Sequence, residues 1–299
     1  MTGFIFQLWK INFEYDSLEE SSVTQRIDAH HHLWRYSVKE YGWIDGSMAA
    51  LQRDFLPEDL IAAMRSAGVD GTIAVQARQT LEETHWLLEL ADRHQEICGV
   101  AGWAPIASPE FRASLEALVG QPKLKGLRHI VQAEPDENFI LREDFNRGIR
   151  ILHGTGLVYD ILIYERHLPQ AIAFVDRHPD QVFVLDHIAK PRIGEGALEP
   201  WATQIRELAK RENVFCKISG MVTEADWKRW TPEGLRPYLD TVVEAFGPKR
   251  LMVGSDWPVC LVACGYAQWF HLLEQYFTGF SVQERDAVFG DNARRVYGI

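Results

Sequence analysis

Cysteine is sparse in this chain. Four occur in 299 residues, Cys98, Cys216, Cys260 and Cys264, and no two form a CxxC pair. That points to unpaired, buried or half-buried thiols in a reducing compartment, the cytoplasm. Positive charge is also short. Lys and Arg number 31 against 42 Asp and Glu, a net −11, with no basic run. Such a surface repels phosphate backbones and anionic bilayers, so neither nucleic acid nor membrane is an expected partner. A small acidic substrate is still admissible, because a few basic groups reverse the field inside a cleft. No apolar stretch is long enough to span a bilayer. The apolar run from Phe4 to Trp9 has no basic residues ahead of it and no small-residue cleavage site behind it, so no signal peptide is expected. Residues 1–25 carry Glu14, Asp16, Glu19 and Glu20 without periodicity and read as an extension outside the main fold.

What is present from residue 26 onward is alternation. Short apolar runs predict strands at Arg26–His30, Thr72–Gln76, Ile97–Trp103, Lys125–Ile130, Val158–Ile163, Val182–His187, Val214–Ile218 and Leu251–Ser255. Several are near-continuous Val, Ile and Leu, the pattern of strands covered on both faces. Amphipathic segments fill the gaps: Pro57–Ala67, Leu81–His94, Pro109–Val119, Arg142–Gly154, Leu168–His178, Pro200–Glu212, Glu233–Phe246 and Ser281–Tyr297. Eight strands each followed by a helix predict one (β/α)8 barrel over residues 26–299. The rival, a doubly wound open sheet, loses ground because no GxGxxG follows the first strand. Two loops are long, one from His31 to Leu56 and one from Asp256 to about Phe280, the second with room for a short helix around Tyr266–Tyr276.

The chemically loaded residues sit where strands end. The first strand closes on His30-His31-His32. Alternation lets His30 and His32 share the inner face while His31 points away. Two such imidazoles can bind a divalent metal or donate hydrogen bonds to a carbonyl. His187 ends the sixth strand; its neighbour Asp186 is expected to face the opposite way, and Lys190 follows in the loop. Asp256 ends the eighth strand, where an acid is costly unless paired or bound to metal. Arg128 and His129 end the fourth strand, and one of the two should face the mouth. Gln76 and Trp103 end the second and third strands. Trp34, Tyr41 and Trp43 crowd the first long loop and suit either a sugar ring or a barrel cover. Cys260 and Cys264 lie near the site without any supporting sign of a catalytic thiol.

The phrases IDAHHHLW, LQRDFLPEDL, KGLRHIVQ, FVLDHIAKP, CKISG and GSDWPVC, in that order, resemble the sugar-lactonase branch of the amidohydrolase superfamily. The resemblance covers nearly all of the chain after residue 25. It implies a barrel with its site at the C-terminal strand ends, and hydrolysis of a lactone, most closely a 6-deoxy-L-sugar lactone such as L-fuconolactone, to the aldonic acid. Residue by residue it maps its HxH onto His30 and His32, its sixth-strand histidine onto His187 and its eighth-strand acid onto Asp256. The fifth strand, Val158–Ile163, has no histidine, and the fourth ends without a bridging Lys or Glu, so a two-metal site is not expected. One divalent ion such as zinc, held by His30, His32 and either Asp256 or His187, and a metal-free site both stay open.

On this reading Asp256 takes a proton from water. His30, His32 and Arg128 stabilise the oxyanion. Asp256, His187 or His129 returns a proton to the ring oxygen. Arg128, His129, Gln76, Trp34, Lys190 and Trp257 are the candidate substrate contacts. The alternatives are a lactonase of aromatic degradation, which should present several Arg residues to substrate carboxylates, a decarboxylase built on a similar His and Asp set, and a non-enzymatic sugar-acid binder.

Overall fold

A computed structural model describes residues 25–299; the expected N-terminal extension therefore lies outside the described residues except for Gln25. Eight strands pair in parallel in strict chain order: β1 Ile27–His31, β2 Gly71–Val75, β3 Ile97–Gly102, β4 Leu124–His129, β5 Val158–Ile161, β6 Phe183–Leu185, β7 Val214–Ile218 and β8 Leu251–Val253. The barrel closes where β8 runs on past its last regular residue. Asp256 N donates to His30 O at 2.8 Å and His32 N donates to Trp257 O at 2.6 Å. Gly254 has to be glycine for this closure, since a Cβ there would stand 2.6 Å from the His30 Cβ.

Seven of the predicted helices form within a residue or a few of their expected ends, and α8 spans Tyr266–Tyr276. The last differs. The segment expected to be continuous from Ser281 to Tyr297 is split into α9 Val282–Asp286 and α10 Asn292–Tyr297 by a π turn over Ala287–Asp291. One ring of apolar side chains packs between sheet and helices. A second fills the barrel and includes Ala29, Val75, Ala101, Val184 and Met252, with Ala293 and Tyr297 of α10 closing its lower end.

Above that apolar floor the barrel holds charge. Lys217 on β7 places its Nζ 2.5 Å from Asp160 Oδ2 and 3.0 Å from Asp186 Oδ1, and all three side chains are fully buried. Tyr297 donates to Asp160, and Arg128 donates to Asp186 at 2.9 Å. Two carboxylates and two cations thus cancel inside a low-dielectric space. Removing one member leaves an uncompensated charge, a loss of about 3–5 kcal/mol for buried pairs. Lys217→Met is therefore expected to lower the urea midpoint strongly at pH 7, read by circular dichroism. A midpoint equal to the parent's would show that the buried charges do not depend on one another.

Candidate active site

The residues at the mouth are set by irregularities at the strand ends. Along β1, Asp28 pairs with Thr72 and His31 with Ala74, so β1 carries one more residue than β2 over that interval. This bulge resets the alternation: Ala29 belongs to the barrel interior, and His30, the next residue, faces inward as well. His32 then shares the inner face with His30, and His31 turns to the opposite one, as expected from sequence. The His31 ring has no hydrogen-bond partner among the described residues, and burial drives its pKa down to about 3. Asp28 anchors the same corner. It accepts from Ser255 N at 2.8 Å, Ser255 Oγ at 2.6 Å, His30 N at 3.0 Å and Tyr266 OH at 3.0 Å. Burial raises its pKa to about 6 against these bonds.

The sixth strand corrects one expectation. Asp186 does not face away from the site; it sits beneath it. Regular pairing stops at Leu185, and His187, Ile188, Ala189 and Lys190 all adopt left-handed backbone, φ 49 to 62°. Alternation no longer holds in such a turn, so Asp186 and His187 both point inward. Gly220 supports the turn, because a Cβ there would stand 2.6 Å from His187 Nδ1. Asp256 is left-handed too, at φ 57°. Strained non-glycine residues of this kind cost about 1–3 kcal/mol each and concentrate at functional sites.

Around Asp256 three imidazoles converge. Its Oδ1 lies 3.4 Å from His32 Nε2, 3.8 Å from His30 Nε2 and 3.9 Å from His187 Nε2. The far nitrogens of two rings are hydrogen-bonded, His32 Nδ1 with Val75 O at 2.7 Å and His187 Nδ1 with Ser219 Oγ at 2.9 Å, and His30 Nδ1 faces the Asp186 carboxylate, 3.3 Å from Oδ1. Burial, opposed by the neighbouring carboxylates, holds all three histidines below their ordinary range, His187 at about 3. Burial works the other way on Asp256, but His187 and His32 outweigh it and keep its carboxyl below the usual value.

The two neutral rings with acceptor-only partners, His30 and His32, therefore carry the proton on Nδ1 and a lone pair on Nε2. Arg128 Nη1 lies 3.3 Å from His30 Nε2 and can only donate, which agrees. The two Nε2 atoms stand 3.2 Å apart, both turned toward an ionised oxygen. Such a gathering of acceptors suits a divalent cation, and partners fixing Nδ1 are the usual support of histidine ligands. His30, His187 and Asp256 present ligand atoms within 4.8 Å of one another.

The cluster opens on a cavity of about 520 Å³, in the roughly 300–1,000 Å³ range of small-molecule sites. His32, His187, Asp256, Arg128, Lys190 and Trp43 line it, as sequence reasoning proposed, and so do Glu224, Tyr164 and Trp227, which it missed. Glu224 lies in the loop after β7, beyond a strand end whose residues carried no His or Asp signal. His30 lies fully buried behind the cavity wall, and four of the candidate substrate contacts also fall outside the cavity. His129 faces the helix layer, stacked on Phe139 and 2.6 Å from Glu134, because Arg128 takes the inward position. Trp34 is buried against Phe55 and donates to Arg53 O, covering the barrel. Trp257 packs edge-on against the same Phe55. Gln76 is spent on Arg128. Trp103 and Tyr41 likewise lie outside; Trp103 donates to His129 and Tyr41 packs on Trp34. The thiols of Cys260 and Cys264 are buried and unpaired and do not line the cavity.

Known proteins share this fold and part of this sequence. The family model described as amidohydrolase matches residues 27–299. A curated L-fucono-1,5-lactonase of Burkholderia multivorans is 42% identical over 92% of this chain and 96% of its own length. A second L-fucono-1,5-lactonase, from Burkholderia ambifaria, is 37% identical over 93% of this chain and 97% of its own. A crystal structure of an amidohydrolase from Burkholderia multivorans with bound zinc superposes with a TM-score of 0.89 at 42% identity, covering 92% of this chain and 99% of that one. The chain belongs to the amidohydrolase family.

Proposed function

We propose that this protein is a lactonase that opens a sugar lactone, foremost the 6-deoxy-L-sugar lactone L-fuconolactone, to the free aldonic acid. The carrying observation is the state of Arg128. Four of its five N–H donors are taken by Gln76 and Asp186, Nε and Nη2 at Gln76 Oε1, Nη2 also at Gln76 O and Nη1 at Asp186 Oδ2, and the fifth, on Nη1, points at His30 Nε2 in the histidine cluster. Arg128 and Lys190 are the Arg and Lys side chains that line the cavity, so one cation has donors to offer and it stands beside Glu224. An aromatic diacid would meet too little positive charge and two carboxylates, Glu224 and Asp256. A neutral polyol ester meets acceptors, donors and aromatic rings. The lactonase names of the 42% and 37% identical relatives agree with this choice.

In the reaction, Asp256, held ionised, accepts a proton from the attacking water as its oxygen bonds to the lactone carbonyl carbon. The bond from that carbon to the ring oxygen then breaks, and Asp256 returns the proton to the leaving oxygen. A divalent ion, of which zinc suits the two-nitrogen, one-carboxylate set, would be held by His30, His187 and Asp256 and would supply Lewis acidity at the carbonyl. His32 completes the inner wall, and the positive charge of Arg128 favours the developing oxyanion through space. The four unpaired cysteines suit a reducing compartment, and we place the protein in the cytoplasm. Among the described residues no helix is long and apolar enough to cross a membrane.

A pH-indicator assay against aldono-lactones tests the reading, with and without a chelator. Rapid acid release from L-fuconolactone is expected; silence across the panel with zinc supplied would sink the assignment. Asp256→Asn is expected to cut kcat by about 10^2–10^4 while circular dichroism stays that of the parent. Near-normal turnover in that variant would remove Asp256 from the base role. Elemental analysis should find about one zinc per chain after loading, and His30→Ala should lose most of it. Undiminished metal in that variant would place the ion elsewhere.

A further inference from the structure

One part of the cavity is not used by the hydrolytic steps. Lys190 and Glu224 face each other across its wall, Nζ to Oε1 3.8 Å apart, with about a fifth of each side chain exposed. That separation is beyond a hydrogen bond, so both groups keep donors and acceptors free for a third partner between or above them. Two loops are fastened together to hold this gap. Gly194 N, in the loop after β6, donates to Glu224 O at 2.8 Å, and Lys190 N closes the left-handed turn on His187 O at 2.8 Å. The strained turn that aims His187 at Asp256 therefore also fixes Lys190. The Lys190 ammonium lies 5.7 Å from the centre of the Tyr164 ring, and Trp227 also lines the cavity. Both charges are felt at Asp256, so the pair stands close to the hydrolytic centre without belonging to it.

We propose that Lys190 and Glu224 form the specificity pair of this enzyme, reading adjacent hydroxyls of the sugar lactone. This rests on the lactonase reading and deepens it. A hydroxyl both donates and accepts, so a vicinal diol satisfies a carboxylate and an ammonium together, one hydroxyl donating to Glu224 and its neighbour accepting from Lys190. The aromatic faces of Tyr164 and Trp227 suit the C–H side of the same ring. A lactone without hydroxyls would leave both charged groups partly desolvated and unpaired, which disfavours it.

The test compares the parent, Glu224→Gln and Lys190→Met on two substrates, L-fuconolactone and the hydroxyl-free δ-valerolactone. A hydrogen bond to a charged group is worth about tenfold to a hundredfold in binding. Each variant is expected to raise KM for the sugar lactone by about that factor, with a smaller change in kcat. The preference for the sugar lactone over δ-valerolactone should fall by at least tenfold. A loss residing in kcat with KM unmoved, or a KM within about threefold of the parent's in both variants, overturns the pair's role. Failure of the parent to turn over any sugar lactone overturns the lactonase reading instead, so the two failures are distinguishable.

Discussion

Asp186 is the point on which the site rests. A carboxylate buried at the centre of a barrel is costly, and burial alone would push its pKa upward. Lys217, His30 and Arg128 outweigh burial and hold it well below the ordinary value. In return the carboxylate faces His30 Nδ1, accepts from Arg128 and meets Lys217. One anion thus biases the tautomer of a candidate ligand, orients the arginine of the cavity wall and couples the mouth to Asp160 and the C-terminal Tyr297 below. The barrel tolerates this charge because two carboxylates and two cations cancel and because the apolar ring below and the apolar layer around the sheet exclude water.

Closure of the barrel supplies the second constraint. The strands that meet last, β1 and β8, carry the HxH pair and Asp256, and their backbones exchange bonds at His30, His32, Asp256 and Trp257. The contacts that close the fold therefore also set the distances between candidate catalytic groups. A bulge in β1, a left-handed Asp256 and a left-handed turn after β6 are local costs, and they lie within the site. Such strain persists where surrounding packing over-determines it. Here the packing includes Gly254 and Gly220, both too close to a histidine to admit a Cβ.

The saturation of Arg128 shapes function as much as the histidines do. An arginine at a strand end looks, in isolation, like a carboxylate clamp. In the folded protein its fork grips Gln76 and Asp186, and the cavity is left with a net acidic lining apart from Lys190. The same scaffold with a freed arginine would favour anionic substrates. With that fork spent, the cavity wall presents aromatic rings and Lys190 rather than a free arginine.

The barrel architecture and the candidate site residues were legible in the chain's own pattern. Eight apolar runs separated by amphipathic segments can bury both faces of each strand in one closed sheet, and His30, His32, His187 and Asp256 stood at the ends of three of them. Tertiary structure alone decided which neighbours share the cavity. Alternation is a local rule that holds only while a strand is regular, and it lapses where these strands end. Hence Asp186 turned inward against expectation, Arg128 rather than His129 took the inner position, and Trp34, Gln76 and Trp257 became supports. Glu224 joined Lys190 only because two loops distant in sequence are pinned together at Gly194, a juxtaposition that no single segment encodes.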